Sequence, residues 1–260
     1  MRAQLIGVTG ALLAILLAVA PRAREGDAQA FTSLIDAKSE VTIADGHYAQ
    51  WVEGGLLHIE SRNDFPDGRA TVERAVLRLE PEMQQQSWDW TERKNGALVR
   101  QYEVDFRSKR AVTTRVDQHK RWKEDLDIEP GKTFAGIALV AVIKSLRAEL
   151  APGQKTDLKA VAFTPRPRLA PINVIRERPE SVHMAGRTIA ADRYTIHPDI
   201  PAIAKLFVSA PDQHVWLYAE GPAAFLRYEG PLVEPNDPIV RVDTIPSRVA
   251  NAGRAPARRR

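Results

Sequence analysis

Apolar and polar side chains alternate along most of the chain after His47, the period-two signature of strands with one buried face. His47-Tyr48-Ala49-Gln50-Trp51-Val52 and Leu56-Leu57-His58-Ile59-Glu60 flank Gly54-Gly55, a pair that turns a hairpin. Asp67-Gly68 predicts another turn. Asn95-Gly96 is the strongest hairpin signal in the chain, because both residues tolerate the positive φ of a type I′ turn. Strands are expected over 71–79, 86–91, 98–106 and 111–116. Others are expected over 157–163, 172–178, 214–218, 223–228 and 239–244, and Val182–Ile189 reads as a tight hairpin that 191–197 continues. The proline-punctuated run Arg166–Pro171 is expected to stand outside the sheet, since proline donates nothing to a ladder. Residues 203–208, bracketed by prolines, read as a turn or short helix. Ahead of the first strand, 31–45 is small and polar. Ser33-Leu34-Ile35-Asp36 matches a helix capping pattern, so a short helix or unordered lead-in is expected there.

One stretch breaks the alternation. From Phe134 to Leu150 there is no proline and one internal glycine, and Ile137–Ile143 is apolar on every face. Its length is wrong for a strand and suits a helix of roughly 25 Å, so a helix is predicted over 133–150. A helix apolar all round must be covered on most sides. A curved antiparallel sheet wrapped around it would do so; a helix lying on a flat sheet is the alternative. The expected fold is therefore mainly β: a single strongly curved antiparallel sheet, a half-open β-barrel, packed around one long apolar helix. It forms one domain over 46–246.

Residues 1–30 form a separate unit that reads as a signal peptide. Arg2 precedes a run from Leu5 to Ala20 in which Thr9 is the polar exception, too short for a comfortable membrane span. Ala28-Gln29-Ala30 fits a cleavage site, with Ala18-Val19-Ala20 and an uncleaved anchor as alternatives. After cleavage no integral membrane segment is expected. The chain has no cysteine, which excludes disulfides, thiolate metal sites and a thiol nucleophile. With no Asn-x-Ser/Thr sequon either, a periplasmic location is expected. The net charge of +4 misleads, because five arginines sit in the expected disordered tail 247–260. Residues 31–246 hold 29 basic and 31 acidic side chains, a mildly acidic body that argues against a nucleic-acid partner.

The chemistry is sparse. Gly-x-Ser-x-Gly, His-Glu-x-x-His and Gly-x-Gly-x-x-Gly are all absent, and Gly131-Lys132-Thr133 lacks the earlier glycine of a phosphate loop. His58 and Glu60 would share a strand face, and His197-Pro198-Asp199 and Asp212-Gln213-His214 each bring a carboxylate beside an imidazole. No nucleophile accompanies either pair, so no catalytic residue, metal ligand or cofactor is expected. Arg107, Lys109, Arg110, Arg115, Lys120 and Arg121 form a basic cluster around Trp122, suited to an anionic envelope component. Trp88 and Trp90 stand two apart and so share one sheet face, either packed or lining a cavity.

The order of meandering strands, one apolar helix and further strands resembles the carriers of bacterial lipoproteins, half-open β-barrels that shelter acyl chains. The second half resembles exported proteobacterial proteins classed as a domain of unknown function. Gly186-Arg187-Thr188-Ile189-Ala190-Ala191-Asp192-Arg193-Tyr194-Thr195-Ile196, Pro211–Tyr218 and Phe225–Pro231 carry that likeness. The resemblance implies a location and a fold and brings no catalytic residue with it. The leading expectation is a non-enzymatic module that binds or carries an apolar or amphipathic ligand such as a lipid. Phe134, Ile137 and Val140 would line its site opposite Trp88 and Trp90. The alternatives are an envelope interaction module with a filled core and an exported hydrolase.

Overall fold

The structure is a computed structural model describing residues 26–184, 186–199 and 210–246. The expected tail 247–260, most of the expected signal peptide, and 203–208 lie outside these residues. The first half is an up-and-down meander. It comprises β1 (Ala28–Asp36), β2 (Thr42–Glu53), β3 (Leu56–Asp64), β4 (Arg69–Arg78), β5 (Gln84–Lys94), β6 (Ala97–Asp105), β7 (Arg110–Arg115) and β8 (Lys120–Asp125). Its turns fall on Gly54-Gly55 and Asn95-Gly96, all four residues at positive φ as two-residue hairpins require. The second half contains β9 (Thr133–Phe134), helix α1 (Ala138–Leu146), β10 (Lys155–Phe163) and β11 (Pro167–Arg176). It continues with β12 (Glu180–Met184), β13 (Arg187–Pro198), β14 (Gln213–Tyr218), β15 (Phe225–Pro231) and β16 (Ile239–Pro246).

All these strands belong to one sheet, ordered 8-7-6-5-4-3-2-1-16-15-14-13-11-10-9, with β12 paired to β13 off the main path. The last strand closes on the first, Thr244 opposite Thr32 and Val242 opposite Leu34. The chain meanders from the middle to one edge, crosses over, and returns from the other edge. The crossover between β8 and β10 carries α1, which is why the helix lies inside the curve. The sheet does not close, but its ends meet: the Thr113 hydroxyl of β7 donates to the Pro165 carbonyl, 2.8 Å away, in the β10–β11 turn. Phe163 of β10 stacks on Trp88 of β5 with ring centroids 5.3 Å apart.

The core divides around α1. Ala138 and Ala141 face a cluster built from β2–β7, including Leu57, Ile59, Trp88 and Tyr102. Leu139, Val142 and Ile143 face another built from β11–β14, including Ile172, Tyr194 and Leu217. Small side chains on one side let the helix approach the tryptophan-bearing wall; larger ones fill the other.

Three expectations are corrected. The helix is nine residues long, not the span 133–150. Thr133 and Phe134 are given to a short parallel strand against Lys159 and Ala160. Gly136 has φ +54°, which ends any helix on that side. At the other end, Arg176 Nη1 donates to the carbonyls of Arg147 and Leu150, at 2.9 and 2.7 Å, closing the chain into a turn. Residues 138–143 are all buried, so their apolar character gave no period from which to locate these breaks.

The lead-in 31–45 is neither helix nor unordered, because β1 lies between β2 and β16, and both neighbours supply ladder bonds that outweigh a weak capping pattern. Cleavage after Ala30 would remove the first three residues of this strand, which pair with Tyr48–Gln50. The proline run also enters the sheet: Pro167 and Pro171 pair with Phe163 and Lys159 of β10. It is tolerated because β13 joins β11 from Ile172 onward, leaving the earlier residues an open side for the missing N–H groups.

Candidate functional site

The alternation that buries one face of each strand aligns the inward side chains in rows. Thr32, Gly46, Asn63, Thr71, Glu92 and Arg100 stand opposite one another in turn from β1 to β6. In the adjacent row stand Tyr48, Ser61, Glu73, Trp90 and Tyr102. Between these rows and α1 lies a cavity of about 190 Å³. Trp88, Trp90, Ile137 and Val140 line it. Phe134 does not line it: that side chain is 1% exposed and packs in the second cluster with Leu139 and Ile172, away from the tryptophans. It was mislocated because 133–150 is not one continuous helix.

Glu73 is the acidic member of the lining among the described residues. One carboxyl oxygen accepts the Trp88 indole N–H at 2.8 Å and the Ile137 backbone N–H at 2.7 Å. It thereby ties β4 to β5 and to the start of α1. Burial pushes its pKa above the ordinary value of 4.5, against the lowering effect of those two donors. The Tyr228 phenol, also on the cavity wall, is pushed up by burial and donates to the Pro231 carbonyl at 2.9 Å.

An acid whose pKa is raised by folding binds its proton more tightly in the native state. Its stabilising contribution is complete below 4.5 and is lost as pH climbs toward the folded-state pKa. Glu73→Gln removes that titration. The stability of the variant relative to the parent is expected to rise between pH 4.5 and 8, measured by urea unfolding; a flat difference would show Glu73 to titrate normally.

The β15–β16 connection runs across one end of the cavity, and Leu232, Val233 and Pro235 contribute to its wall. This strap is pinned by charge. Asp237 accepts the backbone N–H groups of Val233 and Glu234 at 3.2 and 3.1 Å and pairs with Arg100 at 3.0 Å. Arg100 also pairs with Glu92 and lies 4.9 Å from the centre of the Trp90 ring. Glu234 accepts from the Tyr102 hydroxyl and from Arg115, the latter at 3.1 Å.

Arg115 is thereby corrected. It is half-buried under the strap rather than part of the basic surface, because its inward register position brings it to Glu234. Arg107, Lys109, Arg110, Lys120 and Arg121 are exposed on the β7–β8 hairpin and its flanking turn, where Arg110 pairs with Asp125 at 3.0 Å.

The histidine candidates serve other contacts. His58 stacks on Trp51 and Glu60 pairs with Arg74. His197 Nδ1 meets Asp212 Oδ1 at 2.7 Å, joining the two suspected motifs at the exposed ends of the 200–209 connection. Among the described residues no hydroxyl is joined to that pair, and no group of three or more His, Asp or Glu side chains is arranged to hold a metal ion. Among the described residues no helix is long and apolar enough to cross a membrane.

Sequence reasoning missed Thr32, Asn63, Glu73 and the strap. A signal existed for Glu73: it falls in phase with Thr71, Ala75 and Leu77, so it had to point inward. Nothing local marks Leu232–Asp237 as a cover, since its partners lie over a hundred residues away.

No family model matches the chain, and no curated protein matches it. Among solved structures, it is similar to the β-barrel-like protein of domain of unknown function DUF1849 from Brucella abortus. The two are 11% identical, with a TM-score of 0.44, over 85% of this chain and 96% of that one. That match does not bear on the resemblance to the lipoprotein carriers.

Proposed function

We propose that the protein is an exported, non-enzymatic module that binds a small amphipathic ligand between α1 and the inner face of the sheet. The observation that carries this reading is the cavity itself, walled by Trp88, Trp90, Ile137 and Val140 with polar side chains gathered on one side. Its volume limits the occupant. A dry apolar cavity of about 150 Å³ holds benzene, so 190 Å³ suits one ring or a short chain rather than a whole diacyl lipid. The periplasmic setting rests on the character of residues 1–30.

Val140→Trp tests the reading by filling the cavity from the helix side. Native mass spectrometry of the protein purified from the periplasm is expected to show a small stoichiometric adduct, recovered by organic extraction and lost in the variant. A bare mass, with no uptake of added short-chain amphiphiles, would sink it. Weight would then pass to the second reading, docking of an anionic envelope component on the β7–β8 hairpin. The exposed Arg107, Lys109, Lys120 and Arg121 favour that reading.

A further inference from the structure

The polar side of the cavity contains acceptors with nothing to accept. Thr32 Oγ and Asn63 Oδ1 are buried, the residues being 3% and 8% exposed, and neither atom has a hydrogen-bond partner. Both residues line the cavity. They converge over Gly46, which separates them in the row: a Cβ there would stand 2.2 Å from Thr32 Oγ and 2.6 Å from Asn63 Oδ1. Glycine therefore lets both oxygens lie against the β2 backbone, in space that any side chain would need. Asn63 is held in place by donating its Nδ2 to Thr71 Oγ1 at 3.2 Å, so Oδ1 is the atom left over. Buried polar atoms without partners are costly and uncommon in native proteins. Two of them side by side in a cavity wall constitute a built subsite.

We infer that the ligand carries a neutral hydrogen-bond-donating head, a hydroxyl or primary amide, which docks against Thr32 and Asn63 on the cavity wall. This rests on the cavity being the binding site. The head donates to Asn63 Oδ1 and exchanges a bond with the Thr32 hydroxyl, which can both donate and accept. Its apolar part runs toward Trp88, Ile137 and Val140. The lining disfavours an anion: among the described residues it includes Glu73 but no Lys, Arg or His. A carboxylate head would face one acid and two acceptors with no positive charge to offset its desolvation. An ammonium head would need Glu73 ionised, whereas burial favours the neutral acid.

The test uses the mature protein and four probes matched to the cavity: hexan-1-ol, hexanoate, hexylammonium and toluene, titrated calorimetrically at pH 8. Hexan-1-ol is expected to bind more tightly than either ion. Thr32→Val keeps the shape and removes the hydroxyl; it should weaken hexan-1-ol about five- to tenfold and leave toluene unchanged. Its thermal midpoint should hold or rise, because an unpartnered buried oxygen has gone. Asn63→Leu is the second variant and should show the same selective loss. Hexanoate or hexylammonium binding as tightly as hexan-1-ol, or unchanged hexan-1-ol affinity in both variants, overturns the head-group assignment. Toluene binding in that case would leave the cavity reading standing. If none of the four probes binds, the cavity reading fails and takes this inference with it.

Discussion

Replacing Arg100 by methionine is expected to cost about 3–5 kcal/mol of stability and to free the strap from the cavity. Arg100 sits at 9% exposure between two carboxylates, Glu92 on the neighbouring strand and Asp237 in the β15–β16 connection. Methionine preserves much of the volume against Trp90 but leaves both acids buried without their shared cation. Glu92 keeps only a distant contact with Arg69 at 3.7 Å. Asp237 loses the bond that anchors its turn to β6, although it still organises the backbone of Val233 and Glu234. Breaking one partner of a buried network is far more harmful than replacing all of it. The triple variant Arg100→Met, Glu92→Leu, Asp237→Asn should therefore recover most of the loss. Urea unfolding of the three proteins decides it. A single-variant loss below about 1 kcal/mol would place these charges among weak surface pairs.

Gly136→Ala should be the most damaging glycine substitution in the crossover, at about 3 kcal/mol or more. Two effects combine. The residue has φ +54°, and an L-residue in that region costs about 1–2 kcal/mol. The new Cβ would also stand 2.1 Å from both Glu73 Oε1 and Trp88 Nε1, and 2.6 Å from Trp88 Cε2. Those atoms are the hydrogen-bonded pair that receives the start of α1, so neither can retreat without breaking the bond or moving a buried indole. Gly153→Ala is the control. Its φ is +85°, yet nothing lies within 4 Å of the added methyl, so only the backbone penalty applies. Thermal unfolding should separate the two clearly. Equal losses would show that the cavity wall yields to the methyl, and that the contact between Gly136, Glu73 and Trp88 is not a fixed junction.

The hairpins were legible because their determinants are local. Asn95-Gly96 and Gly54-Gly55 turn where their φ freedom allows, and alternation from Leu98 to Phe106 sends Tyr102 and Val104 inward without reference to anything distant. Trp88 and Trp90 share a face for the same reason, but alternation left open whether that face is packed or walls a cavity. The helix was harder. Ile137–Ile143 is apolar on all sides because the segment threads the interior, and a segment buried all round has no period to mark where it stops. Gly136 was visible as a glycine, but its left-handed conformation and its close approach to Trp88 and Glu73 exist only in the folded chain. Pro167 and Pro171 argued against a strand, yet one open side suffices to admit them.

What the chain determined by itself was therefore the strand-rich class, the hairpin turns, the inward phase of the alternating strands and an apolar segment that the sheet had to cover. Only the tertiary structure decided that β1 pairs with β16, that Thr32 and Asn63 meet over Gly46, and that Arg100 holds Asp237. Period and turn chemistry act between neighbours a few residues apart, so they are written in the order of the side chains. Register between distant strands, and the partner a buried charge finds, depend on how the sheet rolls. That depends on the packing of every row at once.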